Sequence, residues 1–214
     1  MKRLSLLLAA ALLSISACAR PPEETDTQHV AAPPPAAATP PLGSGDPGAQ
    51  KYFGDTVLVS QDGERLRLYT DLLRGRSVVI SVFFTTCTGA CPVIHAALER
   101  LQDRIADRLD KDVRILSITV DPENDTPEAL KEYAARFKAK RGWYFLTGTQ
   151  DDVTAALKKL GQYVKEPNDH SGILLAGNDR TGLWKKIFGL GDPEEVIRVA
   201  RSVLDDQGES RLSP

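Results

Sequence analysis

Continuous apolar runs alternate with longer amphipathic segments along most of the chain. Residues 78–84 are almost all apolar or β-branched, which is typical of a central strand buried on both faces of a sheet. Similar runs at 113–120 and 143–146 predict two further strands. Segments with apolar residues at helical spacing follow these strands, and they predict helices at 92–109, 127–140, 149–161 and 193–204.

Two pairs of shorter strand-like runs, one at each end of this region, predict β-hairpins. Residues 56–59 and 65–69 flank a polar turn that contains glycine. Residues 172–176 and 183–188 flank a second turn of the same kind. Short β-rich runs separated by turn residues of this type are the usual sequence signature of a hairpin.

The predicted order of elements after the first hairpin is β-α-β-α-β-α-β-β-α. Its first strand–helix–strand unit should be right-handed with parallel strands, and its closing strands should form an antiparallel hairpin. We therefore predict an α/β, thioredoxin-like fold of three layers. Its central mixed sheet is flanked by helices and extended by an N-terminal β-hairpin and a β-α insertion. Ligands of such sheets bind beyond the carboxyl ends of the parallel strands, where Cys87 lies.

The N-terminal part of the chain lacks this pattern. Residues 1–17 join a basic start to a short apolar run, too short to span a bilayer, which predicts a signal peptide. The segment Ile15-Ser16-Ala17-Cys18 resembles the bacterial lipoprotein cleavage motif, so we predict that Cys18 is lipidated. A plain signal peptide with an incidental Cys18 is the alternative. Residues 18–50 would then form a lipidated, disordered stalk rich in proline and alanine.

The remaining boundaries place the folded domain at residues 51–208 and a frayed tail at 209–214. The acyl chains on Cys18 would hold the protein on the cell membrane, with the domain facing the periplasm, without a spanning helix.

A formal net charge of −2 over 214 residues argues against a nucleic-acid partner. Three cysteines are too few for a disulfide scaffold.

Two cysteines lie on the loop between the first central strand and the first helix. Cys87 and Cys91 are the thiols that remain if Cys18 carries lipid. With Pro92 at the first helical position, Cys91 is at or next to the helix N-cap, where backbone N–H groups and the helix dipole should stabilise a thiolate. Three residues separate the cysteines, a wider spacing than the usual C-x-x-C redox motif. The pair could form a disulfide, structural or redox-active, or present both sulfurs to one metal ion.

A metal ion would need a further ligand, and the chain has three histidines. His29 lies in the predicted stalk. His95 is one helical turn after Cys91, and we interpret it as an exposed or partly packed residue and as the second choice of ligand. His170 precedes the closing hairpin, on a loop that faces the first helix N-terminus in a thioredoxin-like topology. Two thiolates and an imidazole suit Cu(I) and Cu(II), and zinc is compatible if His95 were a fourth ligand.

Three blocks of sequence resemble the signature motifs of the SCO1/SenC family. They are Phe84-Thr85-Thr86-Cys87-Thr88-Gly89-Ala90-Cys91-Pro92, Ser117-Ile118-Thr119-Val120-Asp121-Pro122-Glu123-Asn124-Asp125-Thr126-Pro127 and Asp169-His170-Ser171. The resemblance covers roughly residues 52–205. It implies a membrane-tethered protein with a thioredoxin fold that binds copper, as Cu(I) and Cu(II), through Cys87, Cys91 and His170. Family members often carry Pro-Asp between the cysteines, whereas this chain has Thr88-Gly89-Ala90, which leaves the site less negative.

The same resemblance implies a role in assembling the binuclear copper centre of cytochrome c oxidase subunit II. The protein would deliver copper to that subunit, or to another exported copper protein, as a metallochaperone without turnover. Alternatively, it would act as a thiol-disulfide oxidoreductase that reduces the cysteines of such a partner, with Cys87 and Cys91 as its redox pair. The implied partners include a periplasmic copper donor or thiol reductant, and one protein could perform both roles.

Overall fold

Seven strands form one mixed sheet in the computed structural model, which describes residues 47–208. The strands are β1 (Val57–Ser60), β2 (Arg65–Arg67), β3 (Ser77–Phe83), β4 (Val113–Thr119), β5 (Trp143–Thr147), β6 (Ile173–Asn178) and β7 (Leu183–Phe188). The helices of this range are α1 (Pro47–Phe53), α2 (Ala90–Arg104), α3 (Pro127–Arg136), α4 (Gln150–Lys159) and α5 (Pro193–Leu204). Every strand and helix predicted from the sequence is present, with shifts at several ends.

The sheet has the strand order β2-β1-β5-β4-β3-β6-β7. β3 pairs in parallel with β4, and β4 with β5, whereas β1 and β6 join this parallel centre in the antiparallel direction. The antiparallel pairs β1–β2 and β6–β7 complete the two sides of the sheet. The predicted parallel centre and closing hairpin are therefore confirmed. The carboxyl ends of β3, β4 and β5 meet at one edge of the sheet, where a ligand site is expected.

Apolar side chains on the two faces of the sheet form two separate cores. Val79 and Phe83 of β3 belong to the core that also contains residues of α2, α3 and α5. Val78, Ile80 and Val82 belong to the other core, together with residues of α1 and α4. All of β3 is buried, so the strand is covered on both sides as its continuous apolar run predicts.

Side-chain caps begin three of the helices. Thr126 accepts a hydrogen bond from the backbone N–H of Ala129 at the start of α3, and Thr149 accepts one from Asp152 in the first turn of α4. Asp192 accepts bonds from the first turn of α5. Oxygen side chains at this position satisfy backbone N–H groups that have no partner within the helix. The helix starts predicted from these residues are confirmed.

The first hairpin ends earlier than predicted. β2 stops at Arg67, and Leu68–Leu73 form a wide helical turn where the sequence predicts continued strand to Tyr69. The Asp71 carboxylate accepts a 2.8 Å hydrogen bond from the backbone N–H of Arg67 and pairs with the guanidinium of the same residue. This contact closes the helical turn, while the backbone N–H groups of Leu68 and Tyr69 still donate to the carbonyls of Thr56 and Gly54.

The ends of α2 and α3 also lie before the predicted positions. α2 ends at Arg104, and α3 ends at Arg136. The Gln102 side-chain amide donates to the carbonyl oxygens of Phe137 and Lys138, which are acceptors at the C-terminal end of α3. Lys138 has a φ of 48°, a left-handed conformation that ends a helix.

The remaining domain predictions concern residues that the structure does not describe. Cys18, the signal peptide at 1–17, most of the stalk at 18–50 and the tail at 209–214 all lie outside residues 47–208. α1 begins at Pro47, before the predicted boundary at residue 51. In the described range, the helices are too short or too polar to cross a bilayer.

Candidate metal centre

The two cysteines lie at the junction of β3 and α2, at the carboxyl edge of the parallel strands. α2 begins at Ala90, so Cys91 lies in its first turn and is 1% exposed. Cys87 is half-buried in the preceding loop, and its backbone N–H donates a 3.1 Å hydrogen bond to the carbonyl of Phe84. Both thiols are free, so the structure has the dithiol form of the pair.

His170 reaches the cysteines from the loop between α4 and β6. Its Nε2 atom lies 3.4 Å from the Sγ atom of Cys91, and its Nδ1 atom lies 2.7 Å from the carbonyl oxygen of Pro167. Because a carbonyl oxygen only accepts hydrogen bonds, Nδ1 carries a proton, and Nε2 is the ring nitrogen that faces the sulfur. The ring of Phe84 meets the imidazole edge to face, with centroids 5.5 Å apart, and limits its rotation.

Three soft or borderline donor atoms therefore converge at one place. The ligand atoms of Cys87, Cys91 and His170 all lie within 4.8 Å of one another, and within residues 47–208 no other His, Cys, Asp or Glu cluster is arranged in this way. Metal–sulfur and metal–nitrogen bonds of about 2.3 and 2.0 Å place donor atoms roughly 3.5–4.5 Å apart around one ion. Thiolate and imidazole ligands suit copper. The residues present fit a copper ion with little rearrangement.

The protonation of Cys91 differs from the sequence-based prediction. Burial raises the pKa of the Cys91 thiol to about 12, and the neighbouring Cys87 thiol adds to the rise. The helix N-terminus, which was expected to favour a thiolate, is outweighed by the loss of hydration around the buried sulfur. A metal ion that binds Cys91 must therefore displace a proton.

His95 does not belong to this site, and its interpretation as an exposed or partly packed residue is wrong. The residue is fully buried, with Nε2 at 3.3 Å from the Ser81 hydroxyl and Nδ1 at 3.0 Å from the Tyr133 hydroxyl. Burial lowers the pKa of His95 to about 3, so the ring is neutral. Both ring nitrogens are engaged within the core, so His95 supplies no fourth ligand for zinc.

Asp125 is a residue near the site that sequence reasoning missed. This carboxylate is buried behind the cysteine loop and accepts hydrogen bonds from Thr85. Its sequence position carries one usable signal, because it directly precedes Thr126, the N-cap of α3. A residue just before a helix at the carboxyl edge of β4 is close to any ligand bound there. The half-buried Asp121, by contrast, accepts a hydrogen bond from the Asn124 side chain within the same turn.

Comparison with known proteins agrees with the fold. The SCO1/SenC family model matches residues 45–203. The SCO1 protein homolog of Bacillus subtilis is 36% identical over 119 residues, a match that spans 54% of this chain and 60% of that relative's length.

Solved structures share the same architecture. A SCO1/SenC family lipoprotein from Bacillus anthracis is 27% identical, with a TM-score of 0.59 over 78% of this chain and 99% of the other. BsSco, a member of the Sco family of cytochrome c oxidase assembly proteins in which a disulfide switch was identified, is 28% identical, with a TM-score of 0.56 over 76% of this chain and 94% of its own. Yeast Sco1 with copper bound is 24% identical and shows the shared fold, with a TM-score of 0.59 over 75% and 93% of the two chains.

These likenesses confirm the predicted thioredoxin-like α/β fold and the resemblance on which the sequence interpretation depended. The chain belongs to the SCO1/SenC family, whose model matches most of its length.

Proposed function

We propose that this protein binds one copper ion through Cys87, Cys91 and His170, and that it helps to assemble the copper centre of cytochrome c oxidase subunit II. The observation that carries the proposal is the convergence of two sulfurs and one imidazole nitrogen within 4.8 Å. The two thiolates suit Cu(I), and the imidazole adds the nitrogen donor that Cu(II) prefers. Half-buried Cys87 gives a partner protein access to the ion, while buried Cys91 anchors it from the helix side.

A second function has its own support. The free, adjacent thiols could reduce a disulfide of an exported copper protein, and BsSco is a family member with an identified disulfide switch. In that reaction Cys87 and Cys91 would become a disulfide while the partner's disulfide becomes two thiols, so that two electrons and two protons pass to the partner. The same oxidation would remove both thiolates from a copper ion, which couples the two functions.

The proposed location is the periplasmic side of the cell membrane, with the domain held by lipid on Cys18. Two observations support this proposal. The segment that ends at Cys18 resembles a lipoprotein cleavage motif, and the Bacillus anthracis structure of the same family is of a lipoprotein. The intended recipient would then be the exported copper-binding part of subunit II or another exported copper protein.

A copper titration of the reduced protein at several pH values tests the proposed site. We expect about one copper ion per chain, the stoichiometry that a single set of two cysteines and one histidine allows. The affinity should rise with pH, because the Cys91 thiol is protonated below its raised pKa of about 12 and copper must displace that proton. One displaced proton contributes about tenfold per pH unit while the thiol stays protonated, so a rise of about a hundredfold is expected between pH 6 and pH 8 from Cys91. An affinity independent of pH would contradict binding through the Cys91 thiolate.

A further inference from the structure

A buried carboxylate lies behind the loop that carries Cys87. Asp125 is 1% exposed and lies just after β4, at the edge of the sheet where the metal centre is found. It accepts hydrogen bonds from the backbone N–H of Thr85, at 3.2 Å, and from the hydroxyl groups of Thr85 and Thr119. Burial raises the pKa of Asp125, and these hydrogen bonds oppose the rise because they stabilise the charged form.

The two threonines connect Asp125 to different parts of the sheet edge. Thr119 is the last residue of β4 and pairs with Phe83, the last residue of β3. Thr85 lies in the loop after β3, two residues before Cys87. The carboxylate therefore ties the start of the cysteine loop to the end of a buried central strand.

Apart from Cys87 and Ala90, which pack against the core, the rest of the loop has little packing of its own. Thr86, Thr88 and Gly89 are exposed, and the side chains between the two cysteines are small. A short exposed loop loses few contacts when it moves, and such segments are mobile unless hydrogen bonds hold them. The bonds to Asp125 are thus the contacts best placed to determine where Cys87 lies.

We infer that Asp125 is a positioning residue for the metal centre, which holds the loop so that Cys87 can reach the same ion as Cys91 and His170. The effect on metal affinity rests on the proposed copper function, whereas the effect on the loop does not. A donor atom held in place before binding lowers the ordering cost of binding, so loss of the positioning contact weakens the complex. Hydrogen-bond partners behind metal ligands act in this way in other metal sites.

The set of donors around Asp125 favours a carboxylate over an amide. Asp125 faces one N–H donor and two hydroxyl donors, and an ionised carboxylate has acceptor sites on both oxygens. An asparagine has the same shape but carries an NH₂ group in place of one oxygen. A hydroxyl that faces this group must turn its hydrogen away and accept instead. The loop then loses its bonds to a charged acceptor, which are the stronger kind, and is held less firmly.

The test compares two asparagine substitutions at buried aspartates. Asp125→Asn is expected to weaken copper binding by the reduced protein by about 10- to 100-fold, the usual cost of removing a partner behind a metal ligand. Asp179 is a matched control, because it is also buried and accepts hydrogen bonds from the backbone N–H of Gly75, at 2.7 Å, and from the Tyr69 hydroxyl. It follows β6 at the amino end of β3, on the opposite edge of the sheet. Asp179→Asn should lower the melting temperature but leave copper affinity within about twofold of the wild type.

A second readout needs no copper. In the reduced, metal-free protein, Cys87 of Asp125→Asn should react with iodoacetamide several times faster than in the wild type, as measured by mass spectrometry of the Cys87 peptide. Asp179→Asn should show the wild-type rate. If the wild type binds no copper, the proposed function fails, but the alkylation rate still decides whether Asp125 holds the loop.

Thr85→Val tests the hydrogen bond to the loop without changing the charge of Asp125, because it removes one hydroxyl donor and keeps the carboxylate. We expect it to change copper affinity and Cys87 alkylation in the same direction as Asp125→Asn, by a smaller factor. It also serves as the test if Asp125→Asn does not fold. Equal copper affinity and equal alkylation in Thr85→Val and wild type would overturn the inference. So would effects of Asp125→Asn that are no larger than those of the Asp179→Asn control.

Discussion

Replacement of Cys91 by serine is expected to lower the affinity for Cu(I) by about a thousandfold. Structural zinc sites of small domains bind their ion with a free energy on the order of 10–16 kcal/mol, and on that scale one of three or four ligands contributes roughly 4 kcal/mol. By the usual conversion, about 1.4 kcal/mol corresponds to a factor of ten in affinity. Serine keeps the size of the side chain and removes the soft sulfur that Cu(I) prefers. The measurement is a competition titration against a Cu(I) chelator of known affinity.

The full-length protein offers a matched control for this substitution. Cys18→Ser removes a cysteine that is predicted to carry lipid, so it should bind copper as the wild type does. The same variant should leave the membrane fraction. Wild-type copper affinity in Cys91→Ser would show that the ion is bound elsewhere, and a comparable loss in Cys18→Ser would show that Cys18 is a ligand.

Replacement of His170 by alanine should affect the two oxidation states of copper differently. Two thiolates can hold Cu(I) by themselves, so the Cu(I) affinity is expected to fall by about tenfold. Cu(II) prefers the nitrogen donor, so its affinity should fall by about a hundredfold or more, and the thiolate-to-copper absorption bands should shift or disappear. The fixed orientation of the imidazole, with Nδ1 bonded to Pro167 at 2.7 Å, supports a specific role for Nε2.

The control for this second prediction is His29→Ala. His29 lies in the predicted stalk, so its removal should change neither the affinity nor the spectrum. Equal copper affinity and unchanged spectra in His170→Ala would exclude His170 as a ligand, whatever the cysteine variants show.

The sequence predicts most of the fold because its strongest patterns are local. β3, with its unbroken apolar run, and the helices that begin at Thr126, Thr149 and Asp192 are found where the patterns place them. Errors arise where the chain forms a turn that apolar periodicity does not report. After β2 the chain forms a helical turn in which Asp71 bonds to Arg67, where the sequence pattern predicts continued strand.

For the site residues too, local sequence patterns predict position, whereas tertiary contacts are not predicted. Cys87 and Cys91 are recognised from their position between a strand and a helix, and the approach of His170 follows from the topology. His95 lies one helical turn after Cys91, but sequence spacing alone does not reveal that its ring points into the core toward Ser81 and Tyr133.

The charge state of Cys91 shows most clearly what sequence position alone does not predict. A position in the first turn of a helix predicts a lowered thiol pKa, and the observed burial raises that pKa instead. Burial depends on residues that are distant in sequence, such as His170 at 3.4 Å. The missing acidic residue between the cysteines can be read from the sequence, whereas the burial of Asp125 and its contacts with Thr85 and Thr119 are found only in the structure.

The central claim is that Cys87, Cys91 and His170 form a copper site whose availability depends on the oxidation state of the cysteine pair. The most direct test is one copper titration carried out on both the reduced and the oxidised protein. The proposal predicts about one copper ion per chain in the reduced protein and loss of that site when Cys87 and Cys91 form a disulfide. Equal binding by both forms would contradict thiolate ligation. A protein that cycles between dithiol and disulfide with a partner, yet binds no copper in either form, would instead be a thiol-disulfide oxidoreductase.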